Sequence, residues 1–361
     1  MQKRRTVMYV AYPLLPLSEE SCGGAEQMLA ALEREMAWRG HRTVIAACSG
    51  SKAYGELYST GPEVLDIDGF KERNAEHQRQ LLMLLRHGKA RGEFDLVHDK
   101  SGHFWQSARY LDVPVLATLH LPRSFYPASA FESVPPNLYF NCVSVTQSRS
   151  FADLPSVASV VRNGVAVSQF PFIEEKQGFL LWMGRICEEK GPHLAIEVAR
   201  QTGLPLILAG QVYPFSYHEE YYLREIRPYL GGDDPRVCFI ETPNMRLKRR
   251  LLSEARAVLI SSLVDETSSL VAMEAMACGT PAIGFRRGAI PEVVIDGETG
   301  FIVDDVDEMA NAVWQTREIN PHACRAHVEA NYSVERMADE YEELYERVIS
   351  STHPSEVVRA A

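Results

Sequence analysis

Short apolar runs alternate with longer amphipathic stretches along the chain, and turn residues mark most of the changes. The clearest unit lies late. Residues 257–263 form an apolar run rich in branched side chains, which predicts a buried strand. A polar loop follows, Asp265-Glu266-Thr267-Ser268-Ser269. Residues 270–278 are strong helix material, stopped by Gly279 and Pro281, and residues 282–285 predict a second buried strand. Strand, loop, helix, strand is one turn of a parallel α/β sheet.

The same alternation runs through the rest. Residues 6–11 predict a strand that turns at Ser21-Cys22-Gly23-Gly24-Ala25-Glu26 into a helix reaching Trp38 and stopped by Gly40. Strands are expected at 43–47, 113–118 and 140–145 and at a segment ending on His98, and a helix over 72–91. The pattern restarts with a strand at 179–183, a helix at 192–202, a strand at 206–210, a polar helix over 217–229, a strand at 237–240 and a helix at 247–255. A last helix over 334–350 precedes a frayed tail at 351–361.

The chemistry gathers where strands end. The loop before Leu270 joins a strand's carboxyl end to a helix's amino end. Ser268 or Ser269 is placed to cap the helix, and the free N–H groups there favour an anion. Glu266 stands at the mouth of this loop. Glu274 sits on the helix, roughly 9 Å beyond Ser268 at ~1.5 Å per residue. The two carboxylates therefore flank the anion site at different depths, an arrangement suited to a nucleotide sugar. Arg185 and Lys190 bracket another strand-to-helix turn, Gly184-Arg185-Ile186-Cys187-Glu188-Glu189-Lys190-Gly191. Both can reach one diphosphate, the arginine as a planar fork and the lysine as a point charge. Cations at a helix's positive end are disfavoured unless they share an anion. His120 follows a buried strand, where a histidine can donate to a substrate. Gly23-Gly24 reads equally as a simple turn or as a close backbone approach to a diphosphate. It is not G-x-G-x-x-G, so a dinucleotide fingerprint is absent.

Glu266 and Glu274 stand as E-x7-E, followed by AMACGTPAIGF, and this resembles the family 4 retaining glycosyltransferases of GT-B fold. Gly184 to Gly191 resembles that family's phosphate clamp and is complete. Glu93-Phe94-Asp95-Leu96-Val97-His98, Thr118-Leu119-His120, Asn163-Gly164-Val165 and Asp296-Gly297-Glu298-Thr299-Gly300 match further elements. The resemblance implies two Rossmann-like α/β domains: 1–166 on the acceptor side, 167–333 on the donor side, and a segment 334–361 crossing back to the first. It implies transfer of a hexose from a nucleoside diphosphate sugar, UDP-linked by family frequency, with no tightly bound cofactor and no metal. Glu266 would hold donor-sugar hydroxyls, Glu274 the ribose, and His120 the sugar from the other domain. Arg185, Lys190 and the helix start at Ser268, Ser269 and Leu270 would hold the diphosphate, and Gly23-Gly24 would face it. Lobe closure would exclude water. Front-face displacement is the family's mechanism; a nucleophilic Glu266 is its alternative. The chain departs from the pattern in three places. Thr267-Ser268-Ser269 replaces Pro-Phe-Gly, Asp99-Lys100 replaces an Asn-His pair, and Glu241-Thr242-Pro243 stands where a glycine near the base is usual.

Composition narrows the class. The net charge of −11 argues against nucleic-acid partners. Seven cysteines, odd in number and never spaced C-x-x-C, fit reduced thiols in a cytoplasmic protein better than a disulfide framework or a zinc site. The basic start, Met1 to Arg5, leads into an apolar run that breaks at Pro13, which reads as a first strand and not as a signal peptide. No apolar stretch reaches the ~20 residues that span a bilayer. The basic flank of the helix over 72–91 (Arg73, Arg79, Arg86, Lys89, Arg91) reads as solvated, with a peripheral membrane contact the less favoured reading. Lys248, Arg249 and Arg250 are read as solvated too. Asp66-Ile67-Asp68 lacks the context of a metal-binding D-x-D and reads as a turn. A GT-B nucleotide-sugar epimerase and a donor-binding pseudo-enzyme subunit are the competing functions. Acceptor and oligomeric state are open.

Overall fold

A computed structural model describes residues 3–13, 15–18, 23–63, 67–87, 93–154, 156–231 and 236–352. They divide into two compact units, one running to Asn163 and taking in the helix from Val334, the other Gly164–Ser333.

The first unit contains β1 (Thr6–Val10), α1 (Gly24–Trp38), β2 (Arg42–Ala47), β3 (Glu56–Ser59), α2 (Ile67–His87), β4 (Leu96–Asp99), β5 (Val115–Leu119), β6 (Leu138–Cys142), α3 (Val145–Ser150) and β7 (Val157–Val160). Its strands form one sheet in the order β3-β2-β1-β4-β5-β6-β7, and every pairing is parallel. A parallel sheet is covered on both faces, so its central strands are continuous apolar runs. Val7, Met8, Tyr9 and Val10 of β1 are accordingly all fully buried. The edge strand β3 is short and mostly exposed, with the sequence ELYS, and its lack of an apolar pattern hid it from sequence reasoning. The helix Val334–Thr352 is fastened to this unit by Arg5–Glu346 at 2.6 Å, Arg39–Asp339 at 2.6 Å and His41–Glu342 at 2.8 Å.

The second unit contains β8 (Leu180–Arg185), α4 (Pro192–Thr202), β9 (Leu206–Gln211), α5 (Ser216–Tyr221), β10 (Val237–Glu241), α6 (Met245–Glu254), β11 (Ala257–Ile260), α7 (Leu270–Ala277), β12 (Ala282–Phe285), α8 (Ile290–Val293), β13 (Gly300–Val303), α9 (Val306–Gln315) and α10 (Pro321–Asn331). Its parallel sheet runs β10-β9-β8-β11-β12-β13. Leu180 and Trp182 face a core with Ile196 and Val198, while Leu181 faces one with Ala272 and Met276. α7 is buried nearly all round, so its one carboxylate, Glu274, is carried into the interior.

Several expectations shift. β11 ends at Ile260, and the next residue, Ser261, donates its hydroxyl to Gly191 O at 2.7 Å. The polar helix expected over 217–229 is α5 followed by a π turn, Tyr222–Ile226, and a 3-10 turn, Arg227–Tyr229. Pro228 has no N–H to continue an α-helical ladder. α2 starts at Ile67, so Ile67 and Asp68 are helical and do not form a turn. Val64, Leu65 and Asp66, as well as Lys89 and Arg91, lie outside the described residues. Near the start of the second unit, Lys176 Nζ donates to the carbonyls of Ser253 and Cys278, both at 3.0 Å.

In each sheet the chain builds outward on one side and then crosses to the other. In the second sheet that crossover separates β8 from β11; in the first it separates β1 from β4. Loops leaving the carboxyl ends of the two strands diverge there, and such a switch point is where open α/β sheets bind ligands.

Candidate functional site

At the second sheet's switch point, the turn after β8 carries Arg185 and Lys190, and the loop after β11 carries Glu266, Ser268 and Ser269. Gly191 closes the first loop in the left-handed region (φ 62°), and a Cβ there would fall 2.2 Å from Ser261 O. Only glycine lets the two loops approach this closely. Leu263 N donates to Glu189 O at 2.8 Å across the same seam. Lys190 Nζ lies 2.6 Å from Glu266 Oε1, and the Ser262 hydroxyl donates to the same oxygen. Behind it, Gly288 (φ 55°) packs so tightly that a Cβ would meet Glu266 O at 2.2 Å, while Ala289 N donates to that carbonyl at 2.6 Å. Glu266 is thus fixed through both backbone and carboxylate. Arg185 is exposed at the end of β8, its guanidinium making no hydrogen bond or ion pair among the described residues.

Leu270 opens α7, and Ser269 occupies its N-cap position without a side-chain cap bond. The Ser268 hydroxyl is buried and has no partner among the described residues. The expected serine cap is therefore not made. Glu274 is 3% exposed. Its Oε1 accepts from Lys248 Nζ at 2.6 Å, while Oε2 is buried with no partner among the described residues. Lys248 corrects the sequence reading, since it is no solvated cation. Arg249 is also engaged, bonding Gln169 with its guanidinium 5.6 Å from the centre of the Phe170 ring, whereas Arg250 is exposed as expected, paired with Glu254 at 2.9 Å. Thr242 follows β10 with φ 46°, the one described non-glycine residue with positive φ. The backbone keeps the glycine-type turn although a β-branched residue occupies it, at a cost in strain.

At the first sheet's switch point, Gly23 is the N-cap of α1 in an extended conformation (φ −80°) and Gly24 is the first helical residue. Ser21 and Cys22 lie outside the described residues. Burial raises the Glu26 carboxyl above its ordinary value. Tyr12 OH lies 3.3 Å from His103 Nε2. His120 directly follows β5; its surroundings, and secondarily Lys100, push the imidazole down to about 3, so it is neutral in the physiological range.

Beneath these residues lies a buried polar network that sequence reasoning missed. His98 bonds Tyr345 OH and Thr118 Oγ1, each at 2.7 Å. Thr118 in turn donates to Asn141 at 2.9 Å, and Asn141 Nδ2 donates to Tyr341 OH at 3.2 Å. Lys100 is 3% exposed, has no carboxylate partner among the described residues, and reaches only Tyr341 OH at 3.5 Å. Burial lowers its ammonium to about 7. Asp99 accepts from Ser101 N at 2.8 Å and Trp105 N at 2.7 Å, and burial raises it to about 6 despite those bonds. The only sequence signal was Lys100 standing where the family pattern has histidine; its tyrosine neighbours are over 200 positions away.

The six described cysteines are all free. No helix among the described residues is long and apolar enough to cross a membrane.

The model for glycosyl transferases group 1 matches residues 167–331, and that for glycosyltransferase family 4 matches residues 22–150. D-inositol 3-phosphate glycosyltransferase of Mycolicibacterium smegmatis is 29% identical over 192 residues, covering 51% of this chain and 44% of its own. The chain spans about half the length of the curated relatives it matches. Among solved structures, sucrose-phosphate synthase from Thermosynechococcus elongatus superposes with a TM-score of 0.78 at 20% identity, covering 96% of this chain and 100% of the other. HepE from Anabaena, in complex with UDP-glucose, superposes with a TM-score of 0.74 at 16% identity, covering 95% and 100%. Two Rossmann-like parallel-sheet units, solved structures of the same fold and two family models spanning most of its length agree: the chain belongs to the family 4-like glycosyltransferases of GT-B fold.

Proposed function

We propose that the protein transfers a hexose from a nucleoside diphosphate sugar, UDP-linked, to an acceptor, with retention of configuration. The second unit is the donor side and the first the acceptor side. The observation that carries the reading is the pair of orphaned buried atoms flanking the start of α7, Ser268 Oγ and Glu274 Oε2. Buried polar atoms are seldom left unpaired, and a nucleotide with its hydroxyls and phosphates supplies partners for both.

Transfer requires stabilising the charge that grows on the leaving diphosphate. Arg185, exposed and without an ion-pair partner among the described residues, together with Lys190 and the N–H groups at Ser268, Ser269 and Leu270, supplies that stabilisation without a metal at the phosphates. In this reading Lys190 exchanges part of its contact with Glu266 for phosphate oxygen. The Glu266 carboxylate then accepts donor-sugar hydroxyls, and Glu274 Oε2 accepts the ribose. In the first unit, Gly23-Gly24 offers backbone N–H groups to a substrate, and neutral His120 offers a hydrogen-bonding ring without carrying charge. Thr242 keeps the turn that other members build with glycine near the base. The UDP preference draws support from HepE, which was solved with UDP-glucose.

The test is calorimetric binding of UDP, GDP and ADP to the wild type and to Arg185→Ala. Binding of one nucleotide that weakens about 100-fold in the variant supports the diphosphate clamp and names the base. Absence of binding by all three overturns the reading and leaves a donor-independent role.

A further inference from the structure

The turn after β8 carries a second group of side chains that donor binding does not use. Cys187 and Glu189 lie in this turn, and His218 lies on α5. The Cys187 thiol, a Glu189 carboxylate oxygen and a His218 ring nitrogen all fall within 4.8 Å of one another. Cys187 and His218 are fully buried. Both ring nitrogens of His218 and the Oε2 of Glu189 are buried without a hydrogen-bond partner among the described residues. A buried imidazole with neither nitrogen satisfied is costly, and here it borders a thiol and a carboxylate that can share a common partner. The rings of Phe215 and Tyr217 pack against His218 at centroid distances of 5.2 and 4.3 Å and limit access by bulk water.

We propose that Cys187, Glu189 and His218 bind one Zn2+ ion as three protein ligands of a tetrahedral site, with water as the fourth. Thiolate, imidazole and carboxylate are the sulfur, nitrogen and oxygen donors zinc takes, and the thiolate and imidazole disfavour calcium and magnesium. At metal–ligand distances of about 2.0–2.3 Å, tetrahedral donors stand about 3.3–3.8 Å apart, so no pair need draw in by more than roughly 1.5 Å. Without the ion Cys187 keeps its proton, because burial pushes the thiol up to about 11. Glu189 is already ionised: burial opposes this, but its own backbone N–H, the Cys187 thiol and Arg185 outweigh it and hold the carboxyl below its usual range. Burial and then Arg185 hold His218 neutral, leaving a nitrogen lone pair to donate. Binding thus exchanges the Cys187 S–H bond for a sulfur–zinc bond and releases one proton to solvent. The ion's two positive charges meet one thiolate and one carboxylate, so the site is locally neutral beside Arg185. The ion ties the turn bearing Arg185 and Lys190 to α5 and fixes where that turn stands. Its presence does not depend on the donor reading.

The experiment is titration of the metal-free full-length chain with Co2+, followed by displacement with Zn2+. One equivalent should give a thiolate-to-cobalt absorption band with the intense visible bands of tetrahedral geometry. The calorimetric heat should vary with buffer as release of one proton requires. Cys187→Ser should remove the thiolate band, His218→Gln should weaken uptake about 100-fold, and Cys238→Ser, at an exposed cysteine, should change neither. No stoichiometric uptake by the wild type, or a thiolate band that survives in Cys187→Ser, overturns the proposal. Should those two variants fail to fold, Glu189→Gln decides: a loss of about 10-fold or more supports the site, and unchanged affinity overturns it.

Discussion

At the crossover of the second sheet, two lysines meet carboxylates: Lys190 with Glu266 and Lys248 with Glu274, each at 2.6 Å. At the crossover of the first, Lys100 is buried and, among the described residues, faces the Tyr341 hydroxyl at 3.5 Å and ring at 5.0 Å, His98 bonds neutral hydroxyls, and Asp99 is held by N–H groups. Both places have the same topology. Their electrostatics differ because a paired cation and carboxylate stabilise each other's charged forms, whereas isolated buried groups lower their cost by moving toward neutrality. The second crossover is suited to holding a charged diphosphate. The first is suited to hydrogen bonding with uncharged hydroxyls, with Lys100 poised near neutrality at about 7.

The harshest way to break this contrast is to remove a charge from the second crossover. Lys190→Ala should lower kcat by about 100- to 1,000-fold in donor-sugar hydrolysis or transfer, since it deletes a fixed donor to developing charge. Retained turnover would mean that Lys190 serves only to hold Glu266.

Next is the deeper pair. Glu274→Ala strands Lys248, whose side chain is only 12% exposed, and should cost about 3–5 kcal/mol in urea unfolding, whereas replacing both partners with apolar residues of similar volume should be close to neutral. Equal losses in the single and the double variant would mean the pair itself carries no coupling.

The first crossover should respond in the opposite sense. Lys100 has a folded-state value of about 7 against 10.5 in the unfolded chain, so between these values the unfolded state binds more protons and stability rises with pH. The penalty is complete below about 7 and relieved as pH climbs toward 10.5. Lys100→Met should therefore raise stability at pH 6 by a few kcal/mol, about 5 at most, and flatten the slope of unfolding free energy between pH 7 and 10. A steeper slope in the variant would sink the assignment.

The smallest effect concerns backbone. Thr242→Gly relieves a positive φ and should raise the melting free energy by about 1–2 kcal/mol, with nucleotide affinity unchanged if the turn is already in its binding conformation.

Much of this architecture was legible from local pattern. α4 and β12 were expected with the bounds observed, because Pro192 and Gly203 frame one and Pro281 precedes the other. Edge strand β3 was not legible, since exposed strands need no apolar alternation. The broken stretch after Tyr221 was misread as one helix although Pro228 was in view. Arg185, Lys190 and Glu266 could be singled out because each lies at a strand-to-helix turn that sequence marks with glycine and serine, and Glu274 because its E-x7-E spacing from Glu266 resembles the family pattern.

The sequence by itself determined the alternation of strand and helix, the two-unit plan implied by family motifs, and which charged residues stand at strand ends. Those features are local, written in spacing and turn chemistry. Only the tertiary structure decided which charges meet an opposite charge and which meet neutral groups among the described residues. Lys248 reaches Glu274 across 26 positions, Lys100 meets Tyr341 across 241, and Cys187 meets His218 through the packing of α5 beside the turn after β8. Burial and partnership set the charge state of an ionisable group, and both arise when the crossovers of a parallel sheet bring distant segments together.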